Sequence, residues 1–169
     1  DRRRLEALVF VALGTLVLLA QLGYSFETGD QLQYLLLPYR EIHPTFVPGD
    51  WFTWRTTHYH ESYSWLIRGL HTLCREAGFP WAVLACHLAV LAGVAAAVLA
   101  WSRAWGFGVV AATVALGVVA VIRPVAIAGA TLNHGELVPA DMAMPPLMLA
   151  FAAALEGRAL RAGAWLGLS

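Results

Sequence analysis

The sequence of 169 residues contains no lysine, and charged residues make up only 13% of it. A soluble domain typically carries about 25% charged residues, so this chain lacks the polar surface that such a domain presents to water. All eleven basic residues are arginines, and eleven acidic residues balance them. We therefore expect no basic face for nucleic acid and no nucleic-acid partner.

Cysteine is also scarce, with only Cys74 and Cys86 in the chain. Two cysteines this far apart do not make a zinc-binding pattern. Both lie in apolar helical surroundings, so we interpret them as small buried hydrophobic residues. The sequence neither requires nor excludes a disulfide between them.

Apolar residues, in contrast, are abundant: hydrophobic residues make up 59% of the chain, and its mean hydropathy is +0.63. These values are typical of a membrane protein. A span of nineteen helical residues covers about 28 Å, close to the thickness of the hydrocarbon core. The sequence predicts an all-α polytopic transmembrane helix bundle, one membrane domain over residues 1–169. The spans are expected at about 5–23, 81–101, 105–122 and 140–156, and an apolar run from 162 predicts the start of a fifth span and hence a fragment of a longer protein.

Arginines in the short connections predict the orientation of these spans, because such residues concentrate on the cytoplasmic side. The amino terminus is therefore predicted to be cytoplasmic, and the long first loop, 24–80, to be extracytoplasmic together with a second polar loop at 130–141. The arginines that support this are Arg2, Arg3, Arg4, Arg103, Arg158 and Arg161.

The first loop is rich in aromatic residues, with seven between Tyr34 and Tyr59, which argues against disorder. Thr28 and Gln31 have the spacing of a capping box, which predicts a helix that starts here and ends near Pro38 or by Pro44.

Two further features are predicted later in the first loop. Residues 47–50 are expected to form a turn. Residues 63–76 have apolar residues at helical spacing and predict an amphipathic helix along the membrane interface. A break is expected at 78–81, where Gly and Pro occur.

Several polar residues of the two loops could carry chemistry. Asp30 is either a carboxylate aimed into a cleft or a first-turn residue favoured by the helix dipole. Asp50 is interpreted as a turn residue. Arginine suits phosphate oxygens, so Arg55 and Arg123 are candidate phosphate contacts, although Arg123 at a span end is also typical of snorkelling.

His58, His60 and Glu61 offer metal-ligand or acid–base groups close together in sequence. On a strand the two histidines would share a face, and a third ligand would complete a metal site. A histidine pair near lipid headgroups is the alternative. In the second loop, His134 and Glu136 are expected on the same side of the membrane as Asp30, as contacts to substrate or as ordinary loop residues.

The layout of one span, a long outer loop with an early acidic residue, and an interfacial helix resembles the GT-C class of integral-membrane glycosyltransferases, in an uncharacterised bacterial branch. The stretches that carry the resemblance are Gly29-Asp30-Gln31, Tyr34-Leu35, Pro48-Gly49-Asp50-Trp51-Phe52, Leu137-Val138-Pro139 and Gly157-Arg158-Ala159-Leu160.

The resemblance implies a transferase in the bacterial inner membrane that moves a hexosyl or pentosyl group from a polyprenyl-phosphate carrier to an acceptor hydroxyl, with inversion. Asp30 would be the general base. Many members carry a second acidic residue where this chain has Gln31. This departure weakens the case for metal-assisted chemistry and leaves Asp30 as a lone base or a degenerate remnant. A divalent metal cofactor stays open. The residues expected to contact substrate are Gln31, Arg55, His58, His60, Arg123, His134 and Glu136.

The partners implied are the lipid bilayer, the polyprenyl-phosphate sugar and an acceptor that the sequence does not identify. Two alternatives remain. One is a non-catalytic polytopic membrane protein, either a transporter or an assembly component. The other is a membrane metalloenzyme that uses His58, His60 and Glu61.

Overall fold

The computed structural model describes residues 2–55, 60–122 and 135–169, apart from the side chains of Asp30, Phe52 and Ile122. Throughout this part of the chain every regular element is an α-helix, which confirms the all-α prediction. The helices, in chain order, are α1 (Arg2–Leu22), α2 (Gly29–Ile42), α3 (Trp51–Arg55), α4 (Glu61–Ala104), α5 (Val109–Ile122), α6 (Pro139–Leu155) and α7 (Ala159–Leu166).

The chain divides into two compact units. Residues 1–23, 88–135 and 140–169 form the first, here called the span unit. Residues 24–87 and 136–139 form the second, here called the loop unit. The loop unit coincides closely with the predicted first loop, but it also includes four residues from the second polar loop.

Within the described residues, two helices are long and apolar enough to cross a membrane, α1 with 21 residues and α4 with 44. With 14 and 17 residues, α5 and α6 span about 21 and 25 Å, less than the roughly 30 Å of a hydrocarbon core. The predicted set of five spans is therefore shown only in part, and the polytopic bundle stays a prediction.

The core of the span unit is built where α1, α4 and α5 approach closely. A Cβ on Gly14 would lie 2.8 Å from Leu116 Cδ2 and 3.0 Å from the Cβ of Ala95, so glycine permits this contact. Leu18 and Leu91 are buried in the same cluster. The opposite side of α1 exposes leucines and valines, an apolar surface of the kind that faces lipid: Leu5, Leu8, Val9, Leu13, Leu16 and Val17.

The loop unit packs α2, α3 and the first part of α4 around its own buried side chains. Leu35 of α2 is buried, as are Tyr63 and Ile67 of α4. The turn predicted at 47–50 is confirmed, since the Asp50 N–H donates to the Val47 carbonyl at 3.3 Å. The described part of the loop unit therefore has a core of its own.

The break in α4 lies at Arg75, not at 78–81 as the sequence predicted. Arg75 has φ 55° and ψ 178°, a conformation that costs a residue with a side chain on the order of 1–3 kcal/mol. Pro80 lies within the helix that follows. It cannot donate to the carbonyl of Glu76, four residues earlier, so the interruption falls just before the turn that proline disturbs.

The predicted amphipathic stripe of 63–76 is buried only in its first half. Leu73, two residues before the break, is 82% exposed. Cys74 is an exposed free thiol, so its prediction as a buried residue was wrong, while Cys86 is partly buried and also free. The carboxyl-terminal end of this apolar stripe extends beyond the core of the loop unit, so Leu73 and Cys74 are exposed.

Candidate functional site

The amino-terminal end of α2 is bound by a carboxylate from the second polar loop. Oε2 of Glu136 accepts the backbone N–H of Gln31 at 3.1 Å, and Oε1 accepts the Thr28 hydroxyl at 3.0 Å. The first N–H groups of a helix have no partner within it, and their partial positive charge favours an anion. Two predicted site residues, Gln31 and Glu136, are thus brought together.

Gly29 leaves the space that Glu136 occupies. A Cβ at Gly29 would lie 2.3 Å from Glu136 Oε1, and the φ of Gly29 is +49°. Any side chain would therefore displace the carboxylate and also strain the backbone. The Gly-Asp-Gln stretch begins with glycine because the carboxylate approaches the backbone here.

The residue after Glu136 is held by two side chains of the loop unit. The carbonyl of Leu137 accepts the Gln31 side-chain amide at 3.1 Å and the Tyr63 hydroxyl at 2.9 Å. Gln31 and Tyr63 are both buried, with 0% and 2% of their surface exposed. Buried polar groups need such partners, so these bonds fix the 136–137 segment against α2 and α4.

The capping-box prediction was right about the start of α2 and wrong about its bonds. Thr28 is the N-cap residue, but its side chain makes no capping bond. Gln31 accepts the N–H of Glu27 at 2.7 Å, one residue before the cap. Glu136 takes over the capping role because its carboxylate reaches the N–H that Thr28 would otherwise bind.

Burial is the largest influence on the pKa of two tyrosines of the loop unit. It raises the pKa of Tyr63 well above the ordinary value for tyrosine. The pKa of Tyr39 is raised for the same reason, and also because its hydroxyl donates to the Glu27 carboxylate. Both tyrosines are therefore neutral hydrogen-bond donors at physiological pH, not candidate bases.

Asp30 lies in the first turn of α2, between Gly29 and Gln31, and its side chain is outside the described part of the structure. Its assignment as the base stays a prediction. Asp50 lies in the predicted turn at 47–50, and its carboxylate also caps α3 by accepting the Thr53 N–H at 2.7 Å. Interaction with Thr53, first with its nearby hydroxyl and then with its backbone N–H, lowers the pKa of Asp50.

The other predicted residues lie in different places. Arg55 is exposed at the end of α3. His60 precedes α4, and its ring packs edge-on against Tyr34 of α2, with ring centres 4.8 Å apart. His58, Arg123 and His134 lie outside the described residues.

A cleft of about 330 Å³ opens between α2 and α4. Arg68 pairs with Glu41 at 3.1 Å, and its guanidinium lies 5.4 Å from the centre of the Trp65 ring, which is 70% exposed. Cations, carboxylates and an open indole face suit a ligand with hydroxyl or phosphate groups. The polar residues and tryptophan that line the cleft are Arg40, Glu41, Glu61, Ser64, Trp65 and Arg68.

The cleft is separate from the Gln31–Glu136 contact. Arg40 follows Asp30 by ten residues on α2, which corresponds to about 15 Å along the helix. The sequence patterns did not predict the cleft, because residues 63–76 were interpreted only as an amphipathic helix along the membrane interface. The local signal was the Arg68–Trp65 pair, three residues apart on one helix and therefore on one side of it.

The chain was also compared with known proteins. Searches of protein-family models, curated proteins and solved structures gave no match to it.

Proposed function

We propose that this chain is the amino-terminal part of a membrane glycosyltransferase of the GT-C type, which transfers a sugar from a polyprenyl-phosphate carrier to an acceptor hydroxyl outside the cytoplasm. The observation that carries the proposal is the bond from Glu136 to the first turn of α2. It joins the two polar loops at the turn that contains Asp30, the residue assigned as the base.

The joined loops would give Asp30 a fixed backbone next to a second carboxylate. A base that removes a proton from an acceptor hydroxyl needs hydrogen-bond reach and a constant position. Helix α2 supplies the position, since its first turn is tied to Glu136 and Leu137 by three bonds. In this proposal Asp30 takes the hydroxyl proton, the oxygen attacks the anomeric carbon, and polyprenyl phosphate leaves.

The cleft between α2 and α4 would hold the acceptor away from the reacting bond. Arg40 in this cleft lies about 15 Å from Asp30 along α2, which is the length of a few sugar rings rather than one. Trp65 offers an exposed ring face for a sugar, and Glu41 and Glu61 offer acceptors for hydroxyl groups. The amino terminus would be cytoplasmic and the membrane the bacterial inner membrane, as the resemblance implies.

The test is transfer of label from radiolabelled polyprenyl-phosphate sugars in membranes that contain the protein. Asp30→Asn keeps the shape of the side chain but removes the base, so we expect transfer to fall by at least about 100-fold, the scale of general-base catalysis. Asp50→Asn is the matched control, because Asp50 caps α3 and should leave transfer unchanged.

Retained transfer in Asp30→Asn would overturn the assignment of the base. Membranes with wild-type protein that transfer label from none of the donors would favour the non-catalytic alternative instead.

A further inference from the structure

Two histidines and a glutamate lie together on the side of the loop unit where α2 ends. His43 follows the last residue of α2, and His71 and Glu76 lie on either side of the break in α4. One ligand atom from each side chain lies within 4.8 Å of the others. None of these residues belongs to the Gln31–Glu136 contact or to the cleft.

We propose that His43, His71 and Glu76 form a binding site for a divalent transition metal ion such as Zn²⁺. Imidazole nitrogen with one carboxylate oxygen is a ligand set that Zn²⁺ and its neighbours favour, whereas Mg²⁺ and Ca²⁺ prefer oxygen alone. Three protein ligands leave the fourth tetrahedral position to water. This site is independent of the proposed transferase activity.

The break at Arg75 is what brings two of the ligands to one side. On a continuous helix, residues five apart point about 140° away from each other. The extended ψ of 178° and positive φ of 55° at Arg75 interrupt that winding, so Glu76 reaches the side of His71. The unfavourable backbone conformation at Arg75 therefore places Glu76 next to His71.

The third ligand is held from α2. The His43 N–H donates to the Tyr39 carbonyl at 2.7 Å, which fixes its backbone at the end of the helix. The two imidazole rings meet edge to face, with centres 5.7 Å apart. The His71 ring also packs against buried Phe79, with centres 5.4 Å apart, which limits its orientations.

The spacing is close to that of a bound ion. With metal–ligand bonds of about 2.0–2.2 Å, tetrahedral ligand atoms lie about 3.3–3.6 Å apart. Side-chain rotations that move each ligand atom by on the order of 1 Å would close the site. Glu76 is exposed, so it has room for the larger part of this movement. A bound ion would connect the end of α2 to the two segments of α4 that precede and follow the break at Arg75.

The test is Co²⁺ titration of the whole chain, purified in detergent without a histidine tag and stripped with a chelator. We expect one Co²⁺ per chain, with the visible absorption of a four-coordinate ion, and its displacement by one equivalent of Zn²⁺. His71→Ala, His43→Ala and Glu76→Gln should each weaken binding at least about 10-fold.

His60→Ala is the matched control, because His60 packs against Tyr34 and lies outside the cluster. Binding should be unchanged in this variant. Glu76→Gln keeps the size of an exposed side chain, so it tests the site even where a histidine variant fails to fold. Binding below one ion per chain, binding indifferent to Glu76→Gln, or binding lost in His60→Ala would overturn the proposal.

Discussion

Glu136 accepts a hydrogen bond from the backbone of Gln31, a residue 105 positions earlier in the chain, at 3.1 Å. The bond links the two polar loops at the start of α2, where the helix has unpaired N–H groups. A carboxylate in this place is typically worth 0.3–1 kcal/mol through the dipole alone, and hydrogen bonds to a charged group add about 1.5–3 kcal/mol. The Glu136 carboxylate therefore makes a stabilising polar contact with the start of α2.

Replacing Gly29 by alanine should weaken the hydrogen bond between Gln31 and Glu136. The new Cβ would lie only 2.3 Å from Oε1 of Glu136. This clash would push the carboxylate away from the N–H of Gln31. We expect local opening of α2 to become easier by about 2 kcal/mol, measured by hydrogen exchange at the Gln31 amide.

Two comparisons separate the lost contact from backbone strain. Gly49 also has a positive φ, +92°, but nothing lies within 4 Å of its added Cβ, so Gly49→Ala reports strain alone. In a Glu136→Ala background, Gly29→Ala should cost clearly less than in the wild type. Equal costs in both backgrounds would contradict the displacement of the carboxylate.

Replacing Tyr63 by phenylalanine should change both the stability and its dependence on pH. The variant loses the bond to Leu137, which should lower the free energy of unfolding by about 1 kcal/mol at neutral pH. Burial raises the pKa of Tyr63, so the folded state holds the phenolic proton more tightly than the unfolded state. Its contribution is present below the unfolded value, about 10, and is lost as the pH rises above it.

Unfolding in detergent between pH 8 and 11 measures this effect. Wild-type stability should fall as the pH rises above about 10, and the fall should be shallower in Tyr63→Phe. An identical slope in the two proteins would show that Tyr63 does not contribute to alkaline destabilisation.

Replacing Arg75 by glycine should stabilise the loop unit. Glycine adopts the φ of 55° and ψ of 178° without a clash, so the strain of about 1–3 kcal/mol is relieved. Part of the gain is offset by the extra freedom of glycine in the unfolded chain, which leaves about 1 kcal/mol. The measurement is the midpoint of denaturant unfolding.

Arg75→Ala is the matched control, because it removes the same charge and keeps the strain. It should leave the midpoint near that of the wild type. A midpoint that rises equally in both variants would assign the effect to the arginine side chain instead of the backbone.

Sequence patterns predicted the local features and missed the distant ones. Thr28 and Gln31 correctly located the start of α2, because capping signals are local in the chain. The capping partner, Glu136, was expected on the same side of the membrane, but no local signal links it to Gln31. Such a contact depends on how the two loops fold.

The break in α4 shows the same limit. Gly78 and Pro80 are the residues that ordinarily interrupt a helix, and they predicted the break a few residues too late. Arginine carries no signal for a positive φ, so Arg75 could not be identified. The His43–His71–Glu76 cluster was missed for this reason, since its spacing does not follow the period of a regular helix.

The carbonyl of Leu137 has a consequence for how residues 136–137 detach from α2 and α4. Its oxygen accepts from both Gln31 and Tyr63, and the neighbouring Glu136 holds the start of α2. A carbonyl oxygen has two lone pairs, so both are in use. Since Gln31 and Tyr63 donate to the same oxygen, we expect a shift of the Leu137 backbone to break both bonds together. The Glu136 side chain can rotate away separately, so its bond to Gln31 opens independently of that shift.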